Sequence, residues 1–230
     1  MKVLLLAAGL GTRLQPLTFD IPKCLVPING RPLLDYWLEM MFNANMDSVL
    51  VNLHHMAEKV RCFIDESPYK GKVTAVYEEE LLGTAGTLLK NKAFFGKDQI
   101  LLVHADNFSL FDLNEFIRAH GSRPKACEMT MMTFTTDTPE SCGILELDNE
   151  KVVTAFHEKV SSPPGNLANG AVYILENSIF SFLESLGEEK MDFSTQVLPF
   201  FLGRIFTFHN NRYHRDIGTM ENYQKAQERL

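Results

Sequence analysis

The sequence predicts an α/β protein with a three-layer mixed sheet and a second lobe rich in β-strands. Three observations carry this prediction: a continuous apolar run at residues 3–8, an alternation of strand-like and helix-like segments up to residue 125, and a change to short strands and turns beyond it. The chain has 230 residues, of which 45% are hydrophobic and 22% charged. That length supports a buried core without a disulfide or metal, and we expect one domain over 1–230.

The first part of the chain alternates strands with helices. The run from Val3 to Ala8 ends in glycine, as a buried strand of a parallel sheet does. Pro32 begins a helix to residue 45, with Leu33, Trp37 and Met41 on one apolar stripe. Further strands are predicted at 48–53, 73–76 and 99–103, and further helices at 56–64 and 84–93.

Beyond residue 125 the pattern indicates a β-rich lobe. Strands are predicted at 128–135, 143–147, 151–156 and 170–175, with a hairpin tip at 148–150. Helices return at 177–186, 193–202 and 219–229. The stretch at 161–165 (SSPPG) is too short to separate two domains.

Charge, cysteines and hydropathy exclude several classes of protein. The net charge is −7 and the pI near 5.5, so the basic face of a nucleic-acid-binding protein is not expected. Four cysteines without CxxC spacing are typical of reduced thiols in a cytoplasmic protein. No apolar run approaches the roughly 18 to 20 residues of a membrane helix, so no membrane association is predicted.

A glycine-rich segment follows the first predicted strand. Gly9 and Gly11 let the backbone approach a ligand closely and direct amide groups at phosphates, and Arg13 adds a cation. Leu14 stands where a dinucleotide-binding fingerprint needs its third glycine. A P-loop is also excluded, because no Lys-Ser or Lys-Thr pair follows the glycines.

The same segment resembles the signature of the sugar-phosphate nucleotidyltransferases. The resemblance covers residues 6–14 (LAAGLGTRL), 16–18 (PLT) and 22–23 (PK), and it resumes in the family's order at 82–86 (LGTAG), 105–107 (ADN), 156–159 (FHEK), 169–173 (NGAVY) and 216–219 (DIGT). It implies a Rossmann-like nucleotide-diphospho-sugar transferase fold whose second lobe binds the sugar. The implied reaction joins a sugar 1-phosphate to a nucleoside triphosphate and releases pyrophosphate.

The residue chemistry suits that reaction. A phosphate monoester is largely dianionic at neutral pH, so this nucleophile needs no general base. Catalysis then depends on alignment and on neutralising the charge of the phosphates. Arg13 is the candidate to hold the triphosphate and stabilise the transition state, and Lys23 is the candidate to bridge the two reacting phosphates.

Two aspartates are the candidate ligands of Mg²⁺. Asp106 follows the fourth strand, where ligands of open α/β sheets bind, and Asp216 is expected in a second loop. Mg²⁺ needs one or two protein carboxylates besides phosphate oxygens and water, and the resemblance implies the same pair. The chain departs from the family in having Ala105 where glycine is usual, and in having His214 and Arg215 where an aromatic residue is common.

The resemblance implies two further sets of contacts. Nucleotide contacts are expected at Leu6, Ala8, Gly9, Gly11, Thr12, Gly83 and Thr84. Sugar-phosphate contacts are expected at Gly143, Glu158, Lys159 and Asn169. In the second set a carboxylate accepts from sugar hydroxyls, and the neighbouring ammonium reaches the sugar's phosphate.

The LGTAG form of the second loop is most similar to mannose-1-phosphate and heptose-1-phosphate guanylyltransferases, which favours GTP and a mannose- or heptose-like substrate. Two alternatives stay open: uridylyl or cytidylyl transfer to another phosphorylated acceptor, and a non-catalytic regulatory relative that binds nucleotide sugars. The presence of Arg13, Lys23, Asp106 and Asp216 disfavours the second alternative. Self-association into a homo-oligomer is also left open.

Overall fold

The computed structural model describes residues 1–229. In these residues the strands are β1 (Lys2–Leu6), β2 (Pro27–Ile28), β3 (Arg31–Pro32), β4 (Val49–Leu53), β5 (Val73–Tyr77), β6 (Ile100–His104), β7 (Asn107–Leu110), β8 (Met129–Thr135), β9 (Gly143–Leu147), β10 (Val153–Glu158), β11 (Leu167–Leu175), β12 (Ile205–His209) and β13 (Tyr213–Asp216). The α-helices are α1 (Leu33–Asn43), α2 (Ala57–Glu66), α3 (Gly83–Lys90), α4 (Lys92–Phe95), α5 (Leu113–Gly121), α6 (Ile179–Leu186), α7 (Phe193–Gln196) and α8 (Met220–Gln227).

The chain divides into two compact units. The first comprises residues 1–81 and 103–113 together with the chain from 213 onward, and the second comprises 82–102 and 114–212. A single catalytic domain over 1–230 stays a prediction.

The first unit is built on a parallel sheet. Strand β4 lies between β1 and β5, with Leu6 paired to Asn52 and Asn52 paired to Val76. The side chains of β4 are all buried, as expected for a strand covered on both faces. Parallel strands end at one edge, so the loops after β1, β4 and β5 begin side by side.

Two further strands complete the first unit near its chain end. Strands β7 and β13 pair in antiparallel fashion, and Asn107 stands opposite Asp216. Beside them lies an apolar cluster made of Leu14, Val26, Ile28, Leu33, Phe108, Ile217 and Ala226. This cluster packs the glycine-rich segment against the last part of the chain, because it contains Leu14 from the first and Ile217 and Ala226 from the second.

The second unit contains the predicted β-rich region. Strand β11 pairs with β8 in antiparallel fashion, β10 pairs with β9, and β12 runs parallel to β8. The tip of the β9–β10 hairpin is closed by Asp148, whose carboxylate accepts from the amides of Glu150 and Val152. The prediction of a mixed α/β fold with a β-rich part is confirmed.

Several predicted elements differ from the observed ones. The helix predicted over 84–93 ends at Lys90, and a separate helix begins at Lys92. The helix predicted over 193–202 is α7 followed by a 3₁₀ turn at Leu198–Phe201, since Pro199 has no amide to continue the α-helical hydrogen bonds. The sequence predicts none of six further elements, namely β2, β3, β7, α5, β12 and β13.

The structure also bears on the predictions about membrane helices and cysteines. Across residues 1–229, no helix is long and apolar enough to cross a lipid bilayer. All four cysteines are free thiols, and burial raises the pKa of Cys24 to about 12.

Candidate functional site

The glycine-rich loop begins where β1 ends at Leu6. Leu6 and Ala8 are buried, and Gly11 adopts a left-handed conformation with φ of 66°. A Cβ at Gly11 would lie 3.1 Å from Thr18 Cγ2 and 3.2 Å from Lys23 Cβ. Glycine is therefore needed at this position for both its backbone conformation and its close packing.

Thr18 is a part of the loop that sequence reasoning missed. Its side chain is buried, and its hydroxyl donates to the Gly11 carbonyl at 2.7 Å. Thr12 and Arg13 follow Gly11 in a 3₁₀ turn, so Thr18 fixes the point from which that turn departs. Its place in the PLT part of the signature was the available signal.

Strand pairing brings the two candidate metal ligands together. Asp106 follows β6, and Asp216 is the last residue of β13. Asn107 pairs with Asp216, and Asp106 directly precedes Asn107, so the two aspartates lie next to each other across the strands. The sequence predicts a loop at Asp216. The structure instead places it at the end of strand β13, because β13 forms backbone hydrogen bonds with β7 up to this residue.

Lys23 joins both carboxylates. Its ammonium lies 2.9 Å from Asp106 Oδ2 and 3.0 Å from Asp216 Oδ1, and its side chain is only 5% exposed. Burial disfavours the charged forms, but the attraction between the groups outweighs it. The carboxylates therefore raise the pKa of Lys23, while Lys23 lowers the pKa of Asp106.

Arg13 lies at the outer side of the same group. Its Nη2 atom is 3.7 Å from Asp216 Oδ2, and 71% of its side chain is exposed. Gly218 provides the room, since a Cβ there would lie 2.9 Å from Arg13 Nη2. Loop residues 9–13, Lys23, Asp106 and Gly218 line a cavity of about 280 Å³, which suits an anionic group held by cations and amides.

The two carboxylates that contact Lys23 fit one divalent cation beside this cavity. Asp106 and Asp216 converge on one positive charge, and oxygen ligands of this kind suit Mg²⁺ when phosphate oxygens and water complete the shell. In residues 1–229 no group of three or more His, Cys, Asp or Glu side chains is arranged to hold a metal ion. The site therefore matches a cation shared with a ligand, and not an all-protein metal cage.

In the second unit, the LGTAG segment packs on the chain near Met191. Gly83 and Gly86 lack Cβ atoms where these would overlap the carbonyl oxygens of Met191 and Glu189. The amides of Ala85 and Gly86 donate to the Met191 carbonyl at 3.0 and 3.2 Å. These glycines serve close backbone packing, whatever ligand contacts they also make.

Thr84 takes part in the same packing. Its hydroxyl accepts from the Phe193 amide at 2.6 Å and donates to Asp192 Oδ2 at 3.2 Å. Thr84 therefore holds the start of α3 to the start of α7. Asp192, which sequence reasoning missed, also accepts from the Thr195 amide as the cap of α7.

Three of the four predicted sugar-phosphate residues share one row of the second unit. Gly143 pairs with Glu158, and a Cβ at Gly143 would lie 2.6 Å from Glu158 Oε2. Ala168 pairs with Ile144, which places Asn169 at the level of Gly143. Lys159 is 65% exposed and lies 3.3 Å from Glu158 Oε1.

Asn169 is already engaged by its own strand. Its Nδ2 donates to the Tyr173 hydroxyl at 2.7 Å, and its Oδ1 accepts from the Ala171 amide at 2.9 Å. These bonds span an irregularity in β11 where Ala171 has a φ of 52°. Asn169 thus stabilises this irregularity, at the same level of the strands as Gly143.

Several known proteins are similar to this chain in sequence. A mannose-1-phosphate guanyltransferase of Pichia angusta is 29% identical over 232 residues, which cover 97% of this chain and 62% of that protein. A D-glycero-alpha-D-manno-heptose 1-phosphate guanylyltransferase of Aneurinibacillus thermoaerophilus is 28% identical, with 100% and 98% covered. The chain spans 54% of the length of another relative, from Sulfolobus acidocaldarius.

A solved structure is similar over nearly the whole chain. HddC from Yersinia pseudotuberculosis, determined in complex with GMP-PN, is 28% identical with a TM-score of 0.82, and the match covers 99% of this chain and 98% of that one. The family model described as nucleotidyl transferase matches residues 2–230. The chain therefore belongs to the nucleotidyl transferase family.

Proposed function

We propose that this protein transfers a nucleoside monophosphate from a nucleoside triphosphate to a sugar 1-phosphate. The observation that carries the proposal is the buried Lys23 ammonium, held between Asp106 and Asp216 at the wall of a cavity formed by the glycine-rich loop. This arrangement offers cations, amides and carboxylates to phosphates. It has the components that phosphoryl-group transfer requires and needs no nucleophilic side chain.

The proposed reaction forms one bond and breaks one. An oxygen of the sugar phosphate attacks the α-phosphorus, the new P–O bond forms, and the bond to the β-phosphate breaks to release pyrophosphate. Arg13 neutralises the charge on the triphosphate and on the leaving group, while Lys23 holds the two reacting phosphates near each other. The amides of residues 9–13 orient the triphosphate.

Asp106 and Asp216 would hold Mg²⁺. When bound, this ion supplies positive charge to the phosphate oxygens of the transition state. Lys23 stabilises the two carboxylates at their present positions, so the ligands are arranged before the ion arrives.

We further propose GTP as the nucleotide and a mannose- or heptose-like sugar 1-phosphate as the acceptor. Two relatives named as guanylyl- or guanyltransferases for such sugars support this choice, as does HddC with its GMP-PN. The LGTAG form of residues 82–86 favours the same base. We propose that Glu158, Lys159, Gly143 and Asn169 contact the sugar phosphate.

A pyrophosphate-release screen tests the proposal. The purified protein with Mg²⁺ is offered each of the four common nucleoside triphosphates and dTTP, crossed with a panel of sugar 1-phosphates. The expected result is release only when both substrates are present, fastest with GTP and mannose 1-phosphate or a heptose 1-phosphate. Fastest release with UTP or CTP would favour the alternative transfer, and no release with nucleotide-sugar binding intact would favour a regulatory protein.

A further inference from the structure

Asn52 is a buried polar residue in the middle of an apolar sheet. It lies on β4, is 3% exposed, and is surrounded along its strand by buried Leu50, Val51 and Leu53. A buried carboxamide is costly unless its hydrogen bonds are made, so its place here calls for a reason. That reason lies in the partners of its side chain.

The side chain of Asn52 holds the first peptide of the glycine-rich loop. Its Oδ1 atom accepts from the Ala7 amide at 2.8 Å. The carbonyl of the same peptide, that of Leu6, accepts from the Ala105 amide at 3.0 Å. The Leu6–Ala7 peptide is thus fixed at both its N–H and its C=O groups, immediately before the loop leaves the sheet.

Glu78 sets the orientation of the carboxamide. Asn52 Nδ2 donates to Glu78 Oε1 at 3.2 Å, and the Glu78 amide donates to the Leu53 carbonyl at 2.8 Å. Because a carboxylate only accepts, it draws the NH₂ group of Asn52 towards itself and leaves the oxygen facing Ala7. Glu78 is itself only 6% exposed.

We infer that Asn52, oriented by Glu78, is a positioning residue that sets the direction of the glycine-rich loop and thereby the binding of the triphosphate. The inference rests on the proposed function, in which residues 9–13 hold the triphosphate. Ala105 directly precedes Asp106, so the same clamped peptide also fixes the loop relative to the candidate metal ligand.

Calorimetric titration of GTP with Mg²⁺ tests this inference, with mannose 1-phosphate titrated separately. Asn52→Ala is expected to weaken triphosphate binding about tenfold, the effect of losing one buried hydrogen bond and the order of its loop. Binding of the sugar phosphate is expected to stay within about twofold. Leu50→Ala is the matched control, since Leu50 lies on the same strand and face but pairs with Leu4, within β1 and before the loop.

A swapped pair separates positioning from mere stability. Asn52→Asp alone places a second carboxylate beside Glu78 and is expected to bind the triphosphate at least as weakly as Asn52→Ala. Adding Glu78→Gln restores one donor and one negative charge to the pair, so the double variant is expected to recover most of the affinity. Amide exchange measured by NMR gives a readout without substrate: the Ala7 amide is expected to exchange fast only in Asn52→Ala among the alanine variants.

The outcomes are distinct. Wild-type triphosphate affinity in Asn52→Ala, or an equal loss in Leu50→Ala, overturns the inference while leaving the proposed function intact. Failure of the double variant to recover affinity also counts against it. A wild-type protein that binds no nucleoside triphosphate overturns the proposed function and this inference together, even if the Ala7 amide is protected.

Discussion

The charges around Lys23 in the first unit and those of the β9–β10 ribbon in the second unit lie in different surroundings. Lys23 is buried and contacts two carboxylates at 2.9 and 3.0 Å. Lys159 is 65% exposed and contacts one carboxylate at 3.3 Å. Water screens the Lys159–Glu158 pair far more than the contacts of Lys23. In the absence of a ligand, the Lys159–Glu158 pair therefore contributes little to stability.

The difference indicates how each region prepares for a ligand. The first region holds Lys23, Asp106 and Asp216 in fixed places before any phosphate arrives, and preorganisation of this kind lowers the barrier of a reaction. The ribbon leaves a long, exposed side chain that can adjust to its ligand, at the cost of ordering it on binding. We therefore expect substitutions in the first region to reduce turnover, and those in the ribbon to weaken binding.

Arg13→Ala is expected to have the largest effect. Arg13 is as exposed as Lys159, but we expect it to neutralise charge that develops in the transition state, so its loss should lower kcat on the order of 10²- to 10³-fold. Arg13 is mostly exposed, so the variant should keep the melting temperature of the wild type. Steady-state kinetics and thermal unfolding measure both, with exposed Arg118→Ala as the matched control. Near-normal turnover in folded Arg13→Ala would remove its assigned role.

Asp106→Asn is expected to affect metal dependence. EDTA should abolish activity and Mg²⁺ should restore it, and the variant should need on the order of tenfold more Mg²⁺, because an amide is a weaker ligand than a carboxylate for a hard cation. A Mg²⁺ titration of activity measures this, with exposed Asp65→Asn as the control. An unchanged titration would show that Asp106 is not a ligand and would weaken the contrast between the two regions.

Lys159→Ala is expected to have a smaller, binding-type effect. It should weaken sugar 1-phosphate binding about tenfold, near 1.5 kcal/mol, the lower end for a charged hydrogen bond because the group is exposed. Affinity for the nucleoside triphosphate should barely change. Calorimetry with each ligand separately measures this, and Lys125→Ala supplies an exposed control in the same unit. Loss of triphosphate affinity instead would contradict the division of ligands between the regions.

The last expected effect is on stability and not on the reaction, and it concerns pH and a buried histidine in each unit. Burial lowers the pKa of His120 to about 4 and that of His214 to about 3. As the pH falls below about 6.5, the two histidines are protonated in the unfolded chain before they are protonated in the folded one. The free energy of unfolding is therefore highest above pH 6.5 and decreases as the pH falls towards 4. Between pH 7 and 5 this amounts to about 1–2 kcal/mol per histidine.

Urea unfolding at pH 7 and pH 5 tests that expectation. His120→Gln can keep a hydrogen bond to Thr130 but cannot gain a charge, so its stability should depend less on pH than that of the wild type. His214→Gln should behave alike if the two units resemble each other in this respect. An unchanged pH dependence in both variants would show that other groups control acid unfolding.

Local sequence patterns predicted the elements that carry the site. The apolar run of β1, the glycines after it and the placement of Asp106 beyond β6 could all be recognised, because burial of one strand and the freedom of glycine act within a few residues. The motif order also pointed to Arg13, Lys23 and Asp216. What could not be predicted is which of these side chains touch.

Long-range pairing decided those contacts. Asp216 meets Asp106 because β13 pairs with β7, and backbone hydrogen bonds between strands leave little trace in the side chains of either. Gly83 is predicted from its motif to contact the nucleotide, and the fold adds a second requirement, because the carbonyls of residues 189 and 191 leave no room for a Cβ at Gly83 or Gly86. The sequence predicts no role for Asn52, whose hydrogen bond to the Ala7 amide forms only because β4 pairs with β1.

The sequence by itself determined the alternation of strands, helices and loops in this protein. It also determined the chemical types of its site residues, since periodicity and residue chemistry are local properties. The tertiary structure alone decided that Lys23 contacts two aspartates far from it in the chain and that Asn52 holds the loop peptide. Both depend on distances of about 3 Å between groups far apart in the chain, and only the packed sheet and its strand pairings set such distances.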